Sequence, residues 1–501
     1  MKARLKFTTT STLLLVLILA ISLSAAAPSA GTSAGKPPTA TPGGPTPTPG
    51  GGGGGTPLSI TVNGTQIGIT QQLIGANEGS GRYNISEITE LGLKNYRMYG
   101  GTGRYEPVDD NGAYGSPSID EIKANVNAIN WAAWDTQFNR SDGYFWALYP
   151  PEVQVSSATI LADLKNNAVP VVMVVRPRDN HNTASWMNAL PITAAADRNE
   201  WWEHVFAMVY QVNVRNNWGV DRWEVHNEPN QNGQGWSNNG GSQTDYYEFV
   251  RLTSDAINYV YATYLGNRAH YIQAPGVSGN PNRTKWVPGV LDNVDSYFNV
   301  FDYHWYGNNQ DDIATGYIAD LQAHNPDGVI EPMWNSEYGT YNESYNTVSQ
   351  ALLFSDQLWL MNLPASYVSA SSIFSMYQWG GAEGLVADNG TKSETFWAFK
   401  TLLAALQSGK NSFQVTGNGT SLKILGTKDA SGFYIAVLNR GTGSVAYSLT
   451  ANISAHRTTG TGTLTEYSAA NKAVVVANPT VSSGVVTFNS PANSLVVLKV
   501  P

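Results

Sequence analysis

The 501-residue chain contains no cysteine. That absence excludes thiol catalysis, cysteine-ligated zinc, disulfide staples and a lipid anchor on cysteine, so the fold must rest on a hydrophobic core. Charge is scarce too. Asp, Glu, Lys and Arg make up 13% of residues, and the formal net charge is −9. There is no basic cluster, which argues against a nucleic-acid partner, and no dense acidic block of the kind that forms a disordered tail. The histidines (His181, His204, His226, His270, His304 and His324 among them) show no short-spaced ligand motif, so neither a metal nor a cofactor is expected. Internal repeats are missing. Beyond the first 27 residues no apolar run is long enough to span a bilayer.

What remains is apolar, aromatic and rich in glycine: 42% hydrophobic residues, 15 Trp, 26 Tyr and 49 Gly. This composition suits a well-packed globular protein with long loops. Residues 1–27 read as an export signal, with Lys2, Arg4 and Lys6 in front of the apolar run Leu13 to Leu23 and a small-residue cleavage site at Ser24-Ala25-Ala26-Ala27. A secreted, extracellular protein of bacterial type is the expectation, with no membrane attachment once the signal is cleaved. Residues 28–57 are Pro, Thr, Ser, Ala and Gly, ending in the run Gly50 to Gly55, and read as a flexible linker.

Apolar strand-like runs then alternate with amphipathic stretches. The strands are predicted at Leu93–Tyr99, Tyr144–Leu148, Val169–Val175, Arg222–His226, Tyr271–Ala274, Val300–Tyr303, Pro332–Ser336 and Ser372–Tyr377. Helical patterns fall between them, weakest around Trp286 to Val294. Eight strands alternating with helices predict an α/β fold, a (β/α)8 barrel over residues 75–409. Past Gly409 short β runs separated by turns predict an all-β sandwich over 410–501. The strand within 58–74 is surplus to the barrel and is expected to join that sandwich.

Two strand ends carry the chemistry. Trp223-Glu224-Val225-His226-Asn227-Glu228-Pro229-Asn230 and Met333-Trp334-Asn335-Ser336-Glu337-Tyr338-Gly339 are apolar, β-prone runs, each ending in a carboxylate before a Pro or Gly. A carboxylate at the end of a buried strand is costly unless paired or used. By strand count Glu228 ends the fourth strand and Glu337 the seventh, at the face where barrels of this kind build their sites. Those two ends can lie within roughly 5 Å of each other, the separation that double displacement at a sugar requires.

These motifs resemble the strand-four and strand-seven signatures of glycoside hydrolase clan A, the retaining (β/α)8-barrel glycosidases, with a texture nearest families 39, 5 and 30. The resemblance covers the chain after the linker. It implies that Glu228 is the acid/base and Glu337 the nucleophile, that Asn227 meets the sugar 2-hydroxyl, and that His304 and Tyr306 are partners of the pair. Trp379 would floor the sugar at the end of the eighth strand. Arg97, at the end of the first predicted strand, is the candidate cation to keep Glu337 ionised. Trp134, Trp186, Trp236 and Trp305 sit near loop-side strand ends, where packing is the expectation and lining of further subsites the alternative. His226 stands where the clan often has Trp, and the Asn- and Gly-rich loop Gln231–Gly241 is unusual, so no sugar preference carries over.

The implied function is hydrolysis of a polysaccharide of β-glucan, xylan or mannan type by a monomer. The alternatives are an exo-acting β-xylosidase or arabinofuranosidase acting on oligosaccharides, and a carbohydrate-binding barrel without catalysis.

Overall fold

The computed structural model describes residues 55–79, 82–106, 117–140, 155–177, 192, 195–230, 242–278, 280–306, 316–326, 328–339, 345–362, 368–378, 384–417, 422–441 and 443–501. The export signal and most of the linker lie outside these residues. So do the strand predicted at Tyr144–Leu148 and the tryptophans Trp186, Trp236 and Trp379.

Nine strands come first in the chain: β1 (Thr56–Ile69), β2 (Leu73–Asn77), β3 (Tyr96–Gly101), β4 (Val171–Arg176), β5 (Arg222–Val225), β6 (Tyr271–Val277), β7 (Val300–Tyr306), β8 (Met333–Gly339) and β9 (Val368–Ile373). Strands β2 to β9 close into a parallel barrel in chain order. The expected fold class is therefore what the chain adopts, with one correction to which runs supply its eight strands. The first barrel strand is Leu73–Asn77, so the barrel begins at 73 rather than 75, and the run around Tyr96 is second. Leu-Ile-Gly-Ala-Asn is only five residues long and carries no extended apolar run, so periodicity passes over it. Because the barrel closes with eight strands without Tyr144–Leu148, Arg222–Val225 is still fourth and Met333–Gly339 still seventh.

Two further boundaries differ from expectation. The helical pattern that begins at Ile119 breaks into Ile119–Ala124, a short turn at Val126–Ala128 and Trp131–Asn139. Ser118 caps the first piece in a reciprocal capping box with Glu121. The eighth strand ends at Ile373, earlier than the predicted Tyr377. The weakly helical connection before β7 is a full helix, Asn280–Val294, with Pro288 inside it.

The C-terminal strands are β10 (Asn411–Thr416), β11 (Leu422–Asp429), β12 (Gly432–Asn439), β13 (Tyr447–Asn452), β14 (Gly460–Thr461), β15 (Thr463–Tyr467), β16 (Lys472–Ala477), β17 (Thr480–Val481), β18 (Val485–Ser490) and β19 (Ser494–Val500). Nine strands form one mixed sheet in the order β16-β15-β19-β12-β11-β10-β1-β13-β18. Strand β1, more than 300 residues distant in sequence, lies between β10 and β13, antiparallel to one and parallel to the other.

Two cores serve this sheet. Ile60, Phe433, Ile435, Leu449, Val496 and Leu498 pack with one another. From the opposite face Tyr434, Leu438, Leu495 and Val497 join the barrel core beside Phe396, Leu403 and Leu406 of the helix Glu394–Leu406. The alternation follows from the two-residue period of a strand.

Candidate active site

The site gathers at the C-terminal ends of β5, β7 and β8 around Arg97 and Tyr99 of β3, and the backbone at the end of β5 sets it up. On a straight strand Asn227 and Glu228 would point to opposite faces. Here His226 and Glu228 both take left-handed backbone, with φ of 69° and 48°. The chain is held in this coil by His226 N–H donating to the Val175 carbonyl (2.9 Å) and Glu228 N–H donating to the Gly276 carbonyl (3.0 Å). Non-glycine residues in this region are strained, and such strain gathers at functional sites. The result brings the Asn227 amide to Arg97 and the Glu228 carboxyl to His304, within one buried cluster.

Along β7 the side chains of Asp302, His304 and Tyr306 alternate onto one face. His304 Nδ1 lies 2.8 Å from Oε1 of Glu228 and 3.3 Å from Oε2 of Glu337. Tyr306 donates its hydroxyl to Oε2 of Glu337 at 2.8 Å. Each carboxyl is nearly enclosed, its side chain only 6% exposed.

Arg97 on β3 is completely buried. Its Nη1 donates to Oε1 of Glu337 at 2.6 Å and its Nη2 to the Asn227 amide oxygen at 2.6 Å. Tyr99, two residues along the same strand, donates its hydroxyl to Oε1 of Glu337 at 3.0 Å. Arg97, Asn227, Glu228, His304, Tyr306 and Glu337 thus meet in one constellation. Trp379 falls outside the described residues.

The sequence reading missed the layer beneath. Glu224 is fully buried and chelates Arg97, with Oε2 accepting from Nε and Oε1 from Nη2, both at 2.5 Å. Gln273 on β6 donates to Oε2 of Glu224 and Oδ2 of Asp302, each at 3.1 Å. Asn77, on the unanticipated first strand, accepts from Arg97 at 2.6 Å and donates to the Ser336 carbonyl at 2.8 Å. One signal was available for Glu224 and Asp302: each is a carboxylate inside an apolar strand run, a position that demands a partner. Two of the four tryptophans near the loop-side strand ends lie among the described residues. Trp134 is fully buried against Phe138 and His204, and Trp305, on the face of β7 opposite His304, is part of the hydrophobic core. Both are packing residues.

The electrostatics separate the two carboxyls. Burial pushes the Glu228 pKa upward, the Glu337 charge adds to this, and the opposing charges of His304 and Arg97 do not cancel it. Burial acts on Glu337 in the same sense but is outweighed by the charges of His304 and Arg97 and by the hydroxyls of Tyr306 and Tyr99, so its pKa is lowered. For His304, burial favours the neutral ring, yet the Glu337 and Glu228 carboxylates prevail and hold it at about 9. Burial and the nearby Glu224 charge push Asp302 up to about 7.

One donor atom each from Glu228, His304 and Glu337 falls within a 4.8 Å cluster, as do those of Glu224, Asp302 and His304. A cation there would need the neutral imidazole as ligand. Glu337 already accepts from Arg97 and Tyr306, so a cation would have to compete with both.

No family model matches the sequence, and no curated protein matches it either. Solved structures do resemble it. A glucosidase from Croceicoccus marinus has a TM-score of 0.63 at 13% identity, covering 89% of this chain and 99% of its own. A family 30 endoxylanase from Clostridium papyrosolvens has a TM-score of 0.58 at 15% identity, covering 88% and 99%. A family 39 enzyme from Xanthomonas axonopodis pv. citri has a TM-score of 0.59 at 14% identity, covering 89% and 97%. At such identities the likeness is one of fold. In fold, then, the chain matches barrel glycoside hydrolases.

Proposed function

We propose that this chain is a retaining glycosidase acting on a β-linked plant or microbial polysaccharide, with Glu228 as general acid/base and Glu337 as nucleophile. One observation carries the reading. Two buried carboxyls with oxygens inside 4.8 Å of each other are shifted in opposite directions, Glu228 towards its protonated form and Glu337 towards its ionised form. Retaining enzymes place the pair about 5 Å apart, whereas inverting enzymes need roughly 6.5–9.5 Å to admit a water between them.

In the first half-reaction the Glu228 carboxyl gives its proton to the glycosidic oxygen as the C1–O bond breaks, and a Glu337 oxygen forms a bond to C1. In the second, Glu228, now a carboxylate, takes a proton from water. The water oxygen bonds to C1 and Glu337 leaves as a carboxylate. Arg97, Tyr99 and Tyr306 hold the Glu337 charge before attack and receive it again on release. Asn227, fixed by Arg97, presents its amide N–H2 for a sugar hydroxyl. Export is part of the proposal, on the strength of the basic and apolar segments at residues 1–27.

The test is sugar release from xylan, mannan, β-glucan and arabinan by the wild type and by Glu337→Ala, with the first-formed anomer followed by NMR. Retention by the wild type and no release by the variant are expected. An inverted first product would remove Glu337 from the role of nucleophile, and no release from any polymer or oligosaccharide would overturn the glycosidase reading.

A further inference from the structure

Arg97 has five N–H donors, and all are engaged by buried acceptors. Nε and one Nη2 hydrogen chelate Glu224. The second Nη2 hydrogen goes to Asn227, and Nη1 serves Glu337 and Asn77, with the Tyr99 oxygen 3.1 Å away. A guanidinium facing a lone carboxylate tends to take both of its oxygens in a fork. Here the fork is on Glu224, and Glu337 receives a single nitrogen. Glu224 is itself fixed from β6, where Gln273 ties it to Asp302.

We propose that Glu224 is a positioning residue for the nucleophile. By occupying the Nε/Nη2 edge of Arg97 it confines the guanidinium to Oε1 of Glu337, leaving Oε2 to Tyr306, His304 and the sugar. The inference rests on the reading of Glu337 as nucleophile. It also assigns Glu224 an electrostatic task, because its negative charge offsets part of the Arg97 charge that Glu337 feels.

The groups facing Glu337 are Arg97 and Tyr99 from β3, Glu228 from the turn after β5, and His304 and Tyr306 from β7. Asp302, on β7 as well, reaches the neighbouring Ser336 N–H. Removing the Glu224 charge leaves Arg97 undivided, so ionised Glu337 is held more strongly and is a weaker nucleophile. A guanidinium freed to swing by about 1 Å adds a misplacement cost on the order of 10²-fold in rate.

The experiment compares wild type, Glu224→Gln and Glu224→Asp in the full chain. Each is folded to the same near-ultraviolet circular dichroism and assayed on 2,4-dinitrophenyl β-xyloside and β-cellobioside across pH. Alongside, the protonation midpoint of Glu337 is read by NMR of enzyme labelled with carboxyl-¹³C glutamate, its resonance assigned with Glu337→Gln. For Glu224→Gln the expected result is a kcat loss of roughly 10²-fold, little change in KM, and acid limb and Glu337 midpoint both moved to lower pH. Glu224→Asp, which keeps the charge, should return the acid limb towards its wild-type position. A folded Glu224→Gln with an unmoved Glu337 midpoint overturns the proposal whether or not a substrate is found, and in the latter case the glycosidase reading falls separately. Should Glu224→Gln fail to fold, an acid limb displaced from its wild-type position in Glu224→Asp, which keeps the charge, has the same overturning force.

Discussion

Glu228 and Glu337 have nearly identical exposure, yet their partners differ in kind. Glu228 meets one cationic ring, while Glu337 meets that ring, a guanidinium and two phenols. The first can therefore keep a proton to donate and the second can keep its charge. Glu228→Gln should slow cleavage of unactivated glycosides by roughly 10²–10⁴-fold. It should spare the first step on a dinitrophenyl glycoside, whose leaving group needs no proton; equal losses on both substrates in a burst assay would contradict that assignment. His304 adds a pH dependence to stability. Its pKa is raised from 6.5 to about 9, so its contribution is complete below 6.5 and lost as pH rises through about 9. Asp302, raised from 3.8 to about 7, and the raised Glu228 act in the same direction, whereas the lowered Glu337 loses its contribution only as pH falls below its ordinary 4.5. The melting temperature should fall between pH 6.5 and 9, and His304→Asn should flatten that slope. A melting profile with the same slope in the variant would show that another group is responsible.

Strand ends aim these side chains, and two glycine-like backbone positions, His226 and Glu228, do most of the aiming after β5. The facing strand makes room with a true glycine. Gly276 has φ of +60°, and a Cβ there would come 3.3 Å from both Oε1 of Glu224 and the His226 carbonyl, and 3.5 Å from Oδ2 of Asp302. Gly276→Ala should therefore cost about 1–3 kcal/mol by chemical denaturation and lower kcat by up to roughly 10²-fold through displaced carboxylates. Unchanged stability together with unchanged kcat would show that β6 can move away freely. At this scale the sequence was informative where an apolar run ended in a charge, as at Glu228 and Glu337. It was silent where geometry depends on a turn, since nothing local in His-Asn-Glu announces two left-handed residues. It also misled at Leu73–Asn77, because a five-residue strand interrupted by glycine carries too little period-two signal. Glu224 and Asp302 were legible only as oddities, since the partner that explains them, Arg97, lies on a strand far away in sequence.

At the scale of the whole molecule the question is whether the C-terminal sheet is an appendage or part of the barrel's stability. Residues 53–501 form one compact unit. The helices Val348–Met361 and Glu394–Leu406 each carry a buried contact to the sheet. Asp356, 5% exposed, receives Arg440 Nε at 2.8 Å as well as an ion pair from Lys423, and the Ala405 carbonyl accepts from Thr427 at 2.9 Å. Glu394 accepts from the Tyr467 hydroxyl at 2.8 Å and pairs with Lys472 at 2.5 Å. The Lys423 and Arg440 side chains are each 35% exposed, so solvent screens these pairs and they add modestly. The larger effect is apolar, since Tyr434, Leu438, Leu495 and Val497 cover core residues of the barrel helices that would otherwise face water. Strand β1 makes separation harder, because it precedes the barrel in sequence yet lies in the middle of the sheet. A chain ending at residue 409 would leave β1 with unpaired edges and the two helices uncovered, the conditions for edge-to-edge aggregation. The full chain should therefore melt in a single calorimetric transition, and the truncated chain should lose its near-ultraviolet circular dichroism or aggregate. A soluble truncated barrel with the parent melting temperature would show instead that the sheet is a passenger.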